Sequence, residues 1–193
     1  LPNGVEIWNH GSEQGLLTDT DQGKLLIFFH GNAGSACNWR FLGVNHASKL
    51  GFDVLVLEYP GYGGDPRPPA KSAIEAGLVV LAGWVQSQGY AGVSVMGYSL
   101  GTGVAGLYAQ SYGADQMILF APFDSIYNVA LNQGLVFPRA LLREDFDNMQ
   151  TLSAIAAPIT IIHGSEDVVI PAEHSLNLQK HLEQNGRDVR REV

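Results

Sequence analysis

Short apolar runs alternating with longer amphipathic stretches constrain this chain more than any other feature. The segments 24–29 (KLLIFF), 53–58 (DVLVLE), 92–96 (GVSVM), 116–120 (QMILF) and 158–162 (PITII) are β-branched or apolar on both sides, as strands covered on both faces should be. Between them lie helix candidates near 38–50, 70–88, 100–112 and 171–184. Each crossover is long enough for a helix, which consecutive parallel strands require. Residues 5–8 suit a first strand, followed by a polar loop through Gly23. The expected fold class is therefore α/β: a mostly parallel, doubly wound sheet. Residues 123–150 break the alternation with Pro138, scattered aromatics and the acids Glu144, Asp145 and Asp147, and read as a short helical lid over the carboxyl edge of the sheet.

The 193 residues suit one domain, 1–193, without repeats or linkers. Nineteen acidic against eleven basic residues leave a net charge of −8, which repels phosphate backbones and argues against a nucleic-acid partner. The single cysteine, Cys37, forbids an internal disulfide and reads as a buried structural thiol, and no Cys/His pair has zinc-site spacing. No apolar run approaches the roughly 20 residues of a membrane-spanning helix. With no signal-like segment at Leu1, a cytoplasmic location is expected of a chain trimmed at its front.

The strongest local signal is Gly97-Tyr98-Ser99-Leu100-Gly101, directly after one apolar run and directly before a helical pattern. G-x-S-x-G in that context is a nucleophile elbow: the sharp turn strains the backbone at the serine and lifts its hydroxyl to the positive end of the helix. The competing reading is a glycine-rich turn whose serine only caps the helix. A third reading takes Gly97, Gly101 and Gly103 as a dinucleotide turn. Two or more strands precede this turn, however, and no lysine lies between Lys71 and Lys180 to complete a Tyr-x-x-x-Lys pair.

Two further strand ends carry chemistry. His30-Gly31-Asn32-Ala33-Gly34-Ser35 can supply an oxyanion donor, since preorganised backbone N–H groups best stabilise a tetrahedral intermediate. The expected pair is the N–H groups of Asn32 and Leu100, with His30 organising the loop. His163-Gly164-Ser165-Glu166-Asp167 offers an acid, for which Asp167 is preferred over its neighbour Glu166. Asp124, in Ala121-Pro122-Phe123-Asp124-Ser125, is the rival.

HGNAGS, GYGG, GYSLGTG, APFDSI and HGSEDVVIP, in this order and spread over nearly the whole chain, resemble the α/β-hydrolase family of serine hydrolases, most closely its small-lid esterase, lysophospholipase and depalmitoylase type. The resemblance implies a Ser99–His–Asp167 triad cleaving a carboxylic ester or thioester without cofactor or metal. It also implies a base on a loop after the last strand, yet the stretch after Asn185-Gly186 looks like the opening of that strand and no histidine follows it. His174 and His181 read as ordinary helix residues. Either the histidine lies beyond Val193 in a chain cut at both ends, or this is a non-catalytic hydrolase-like binding protein; a retained serine, oxyanion loop and acid favour the first. Phe123, Tyr127, Leu131, Leu135, Val136 and Phe137 suit either an acyl-binding wall or the underside of the lid. Gly61-Tyr62-Gly63-Gly64 needs only turn geometry, and Trp8, Trp39 and Trp84 read as packing residues.

Overall fold

The structure, a computed structural model, describes residues 1–142 and 144–193, so Arg143 of the expected lid lies outside the described residues. It divides into two compact units, residues 1–96 and 97–193.

The first unit opens with a correction. The stretch read as a polar loop contains a strand, so β1 (Glu6–His10) and β2 (Glu13–Thr18) form an antiparallel hairpin. β2 then pairs antiparallel with β4 (Asp53–Leu57), and β4 pairs parallel with β3 (Lys24–Phe29). The expected parallel pairing of these two central strands is found. Leu25, Ile27, Phe29 and Leu55 are wholly buried on one face and Leu26, Phe28, Val54 and Val56 are buried on the other, so both strands are covered on both faces. On one face Leu26, Phe28, Val54 and Val56 cluster with Leu16 and Ala36.

A second correction concerns 38–50. In place of one helix there is a 3-10 turn at Ala36–Trp39, a single α-turn, α1 (Leu42–Asn45), and another 3-10 turn at Ala47–Leu50. The backbone of Gly43 lies so close to Thr18 that a Cβ there would sit 2.2 Å from its hydroxyl, so α1 packs tightly against β2. Gly61, Gly63 and Gly64 all have positive φ, as the turn after β4 requires. The long helix α2 (Lys71–Gln88) follows, ending at Gly89 in the left-handed conformation, and its Trp84 packs edge-on to Trp8. With Trp39 tilted on Phe28, all three tryptophans are packing residues. Cys37 is exposed, against the expectation of a buried thiol, because it lies on the outward side of its 3-10 turn.

β5 (Gly92–Tyr98) carries the chain into the second unit. There α3 (Leu100–Tyr112) precedes β6 (Gln116–Phe120), and β6, β7 (Ile159–Ile162) and β8 (Val189–Glu192) pair parallel in that order. Between β6 and β7 lie α4 (Ile126–Asn132), a 3-10 turn at Arg139–Leu141 and α5 (Asn148–Ser153), which make up the expected short helical excursion. Its apolar residues divide: Phe123 is buried, whereas Leu135 and Val136 face solvent. Arg139 bridges Asp145 and Asp147 of the acidic patch. α6 (Glu173–Gln184) packs against α5 and β8. Among the described residues no helix is long and apolar enough to cross a membrane.

Candidate active site

In the second unit the chain turns from β5 into α3 at Ser99, whose φ of +52° and ψ of −117° lie where a residue with a side chain rarely sits. The Ser99 N–H donates to Phe120 O at 2.9 Å, and its carbonyl accepts from the Thr102 N–H at 2.9 Å and the Thr102 hydroxyl at 2.7 Å. Thr102 in turn accepts from the fully buried Asn148 amide at 3.1 Å. The turn is therefore tied at both ends of one residue, which is how a strained conformation persists. A Cβ on Gly97 would lie 2.5 Å from Gly101 O, so the first elbow position admits glycine alone. A Cβ on Gly103 would collide with Phe146. Close packing thus accounts for glycines that the dinucleotide reading used. The Ser99 side chain makes no capping hydrogen bond, which removes the helix-cap reading. Leu100 opens α3, so its N–H has no partner within the helix.

Asp167 lies on the loop after β7. Its Oδ1 accepts the Val169 and Ile170 N–H groups at 2.9 Å each, while Oδ2 stands 3.7 Å from His163 Nε2. His163 is buried, with Nε2 donating to Ile170 O at 2.8 Å and Nδ1 without a partner among the described residues. The loop is closed on itself by its own acid, which leaves Oδ2 free of the two backbone donors.

Asp124, the rival acid, is committed elsewhere. It is buried and accepts from His174 Nδ1 at 2.9 Å and from the Ser125 N–H at 2.6 Å. His174 Nε2 accepts from the Asn132 amide at 2.8 Å. Burial by itself would raise the Asp124 carboxyl, but its hydrogen bond and charge interaction with His174, with help from Ser125 and Asn128, outweigh that and hold it below the ordinary carboxylate range. His174, expected to be an ordinary helix residue, therefore belongs to a buried hydrogen-bond network that joins α6 to Asp124 and to Asn132 of α4. No sequence pattern signals that pairing, because fifty residues separate its partners. His181 bonds Ser153. The three imidazoles of this unit thus all have partners other than the Ser99 hydroxyl.

In the first unit His30 is buried, with Nε2 donating to Glu58 Oε1 at 2.8 Å and Nδ1 2.9 Å from Gly31 O. It organises the loop after β3, on whose exposed tip Asn32 sits. Among the described residues no cluster of three or more His, Cys, Asp or Glu could hold a metal ion.

Comparison with known proteins places the chain in a family. The family model for the α/β-hydrolase fold matches residues 24–149, and the chain belongs to that family. It is 28% identical over 179 residues to human protein ABHD12B, covering 82% of this chain and 49% of the relative. It is 26% identical over 168 residues to the zebrafish (Danio rerio) lysophosphatidylserine lipase ABHD12, covering 76% and 44%. The chain thus spans about half the length of these curated relatives. Among solved structures, an esterase from Pyrococcus furiosus superposes with a TM-score of 0.76 at 16% identity, over 98% of this chain and 79% of that one, a likeness of fold.

Proposed function

We propose that the protein is a serine hydrolase of carboxylic esters or thioesters. Ser99 Oγ attacks the acyl carbonyl, the N–H groups of Asn32 and Leu100 hold the oxyanion, and Asp167 Oδ2 orients a histidine supplied from beyond Val193. That histidine takes the serine proton and returns it to the leaving alcohol or thiol; water then releases the acid from the acyl-enzyme. The observation that carries the reading is Ser99 itself, strained at a strand-to-helix elbow with its side chain not spent on capping. The bonds that His163, His174 and His181 make to residues other than Ser99 favour a base from elsewhere than these three. The lipase name of the zebrafish relative and the exposed apolar residues Leu135 and Val136 support an uncharged or apolar acyl group.

The test is a series of p-nitrophenyl esters of rising chain length given to the full-length protein and to its Ser99→Ala variant. Turnover is expected only with Ser99 present. Turnover that survives the substitution overturns the mechanism, and no turnover of any ester favours a hydrolase-like binding protein instead.

A further inference from the structure

The Gly61–Gly64 turn brings Tyr62 to the loop after β3. The 31–34 turn that carries Asn32 is closed by the Gly34 N–H donating to Gly31 O at 3.2 Å, and it holds Ala33 at a φ of +38°. A residue with a side chain does not keep that conformation without support. Its flanks are fastened from the segment after β4. Glu58 receives His30 on one oxygen and the Ala36 N–H on the other, at 2.8 and 2.9 Å, and the buried Tyr59 hydroxyl donates to His30 O at 2.9 Å. The tip is fastened by Tyr62, whose hydroxyl donates to Asn32 Oδ1 at 2.6 Å.

Tyr62 is itself well placed to hold that tip. Its N–H donates to Tyr59 O and its carbonyl accepts from the Asp65 N–H. Its ring stands edge-on to His30 and to Tyr59, with centroids 5.4 and 5.5 Å away. The backbone around it has little room to move: a Cβ on Gly63 would lie 2.3 Å from the Glu58 carboxylate, and one on Gly61 would strike Pro69. The tyrosine is thus a rigid post whose hydroxyl reaches the tip of a strained loop.

We propose that Tyr62 is a positioning residue for the oxyanion donor, its hydroxyl fixing Asn32 so that the Asn32 N–H is presented to the acyl oxygen before substrate arrives. This rests on the function proposed above. An oxyanion donor acts through preorganisation, so loosening its anchor weakens transition-state binding more than ground-state binding. The hydrogen bond lies at the surface, whereas the ring contacts persist in phenylalanine, so its loss is expected to move kcat and leave the fold alone.

The experiment uses the full-length protein on a p-nitrophenyl ester, with loss of turnover in Ser99→Ala as the control for the parent reading. Tyr62→Phe should lower kcat about tenfold, keep KM within about twofold and leave the thermal midpoint unchanged. Asn32→Ala, which keeps the N–H but removes the anchored amide, should lower kcat comparably, and the double variant no further than either single. An unchanged kcat in Tyr62→Phe, or losses that multiply in the double variant, overturns the proposal while the parent reading stands. Failure of the Ser99→Ala control overturns both.

Discussion

Ser99, at φ +52°, is tied through Phe120, Thr102 and Asn148, and the glycine two positions before it has no room for a methyl group. Gly97→Ala should therefore cost about 1–3 kcal/mol of overpacking and sharply lower the reactivity of Ser99. Urea unfolding beside labelling kinetics checks it; an unchanged pair of values would show that the elbow tolerates a side chain. Asp124 makes a prediction about pH. Its folded-state carboxyl titrates below the unfolded one, so its stabilisation is fully present above the ordinary carboxylate value of about 3.9 and is lost as pH falls through the folded value. Wild type should thus lose stability more steeply than Asp124→Asn below about pH 4; equal slopes in acid unfolding would contradict the pairing. At this scale the elbow serine was legible because strain needs a fixed motif. The Asp124–His174 pair was not legible, since it depends on how α6 packs against α4.

Element boundaries show what a one-dimensional pattern misses. β2 reads EQGLLT, with a polar start and a glycine, yet both features are requirements of packing. A Cβ on Gly15 would lie 2.6 Å from Val56 O across the β2–β4 pair. Glu13 is buried because the Arg67 guanidinium spans it and Asp65, at 2.7 and 2.6 Å, and the α2 backbone at Gly77 closes over the carboxylate. The same pairing pushes Arg67 up through its hydrogen bonds to Asp65 and Glu13 and holds Asp65 low through its bonds with Arg67. Arg67→Ala leaves a buried, uncompensated carboxylate, and the cost should be about 2–3 kcal/mol, less than for a wholly buried pair because Arg67 is partly exposed. Adding Glu13→Gln should recover part of it. Chemical denaturation of the two variants decides this, and a single-variant loss under about 0.5 kcal/mol would mean that the bridge is only a surface pair. By contrast β3, β4, α2, α3, β6 and α6 were readable to within a few residues, because long crossovers and two-sided apolar strands leave few alternatives.

For the molecule as a whole, the alternation of strand and helix led to the α/β-hydrolase fold, and the order of the motifs led to the family. The proposed residue roles rest on the elbow, on the braced loop after β3 and on the self-closed acid loop after β7. No motif in the sequence marks a histidine for Ser99, and His163, His174 and His181 of the second unit each bond another residue. The central claim, that Ser99 is an activated nucleophile, is tested most directly by treating the full-length protein with a fluorophosphonate and mapping the adduct by peptide mass spectrometry. The account predicts one adduct, on Ser99, absent when residues 1–193 alone are treated for the same time, because a serine without its base reacts orders of magnitude more slowly. An adduct on any other residue, or equal labelling of the two forms, would contradict it.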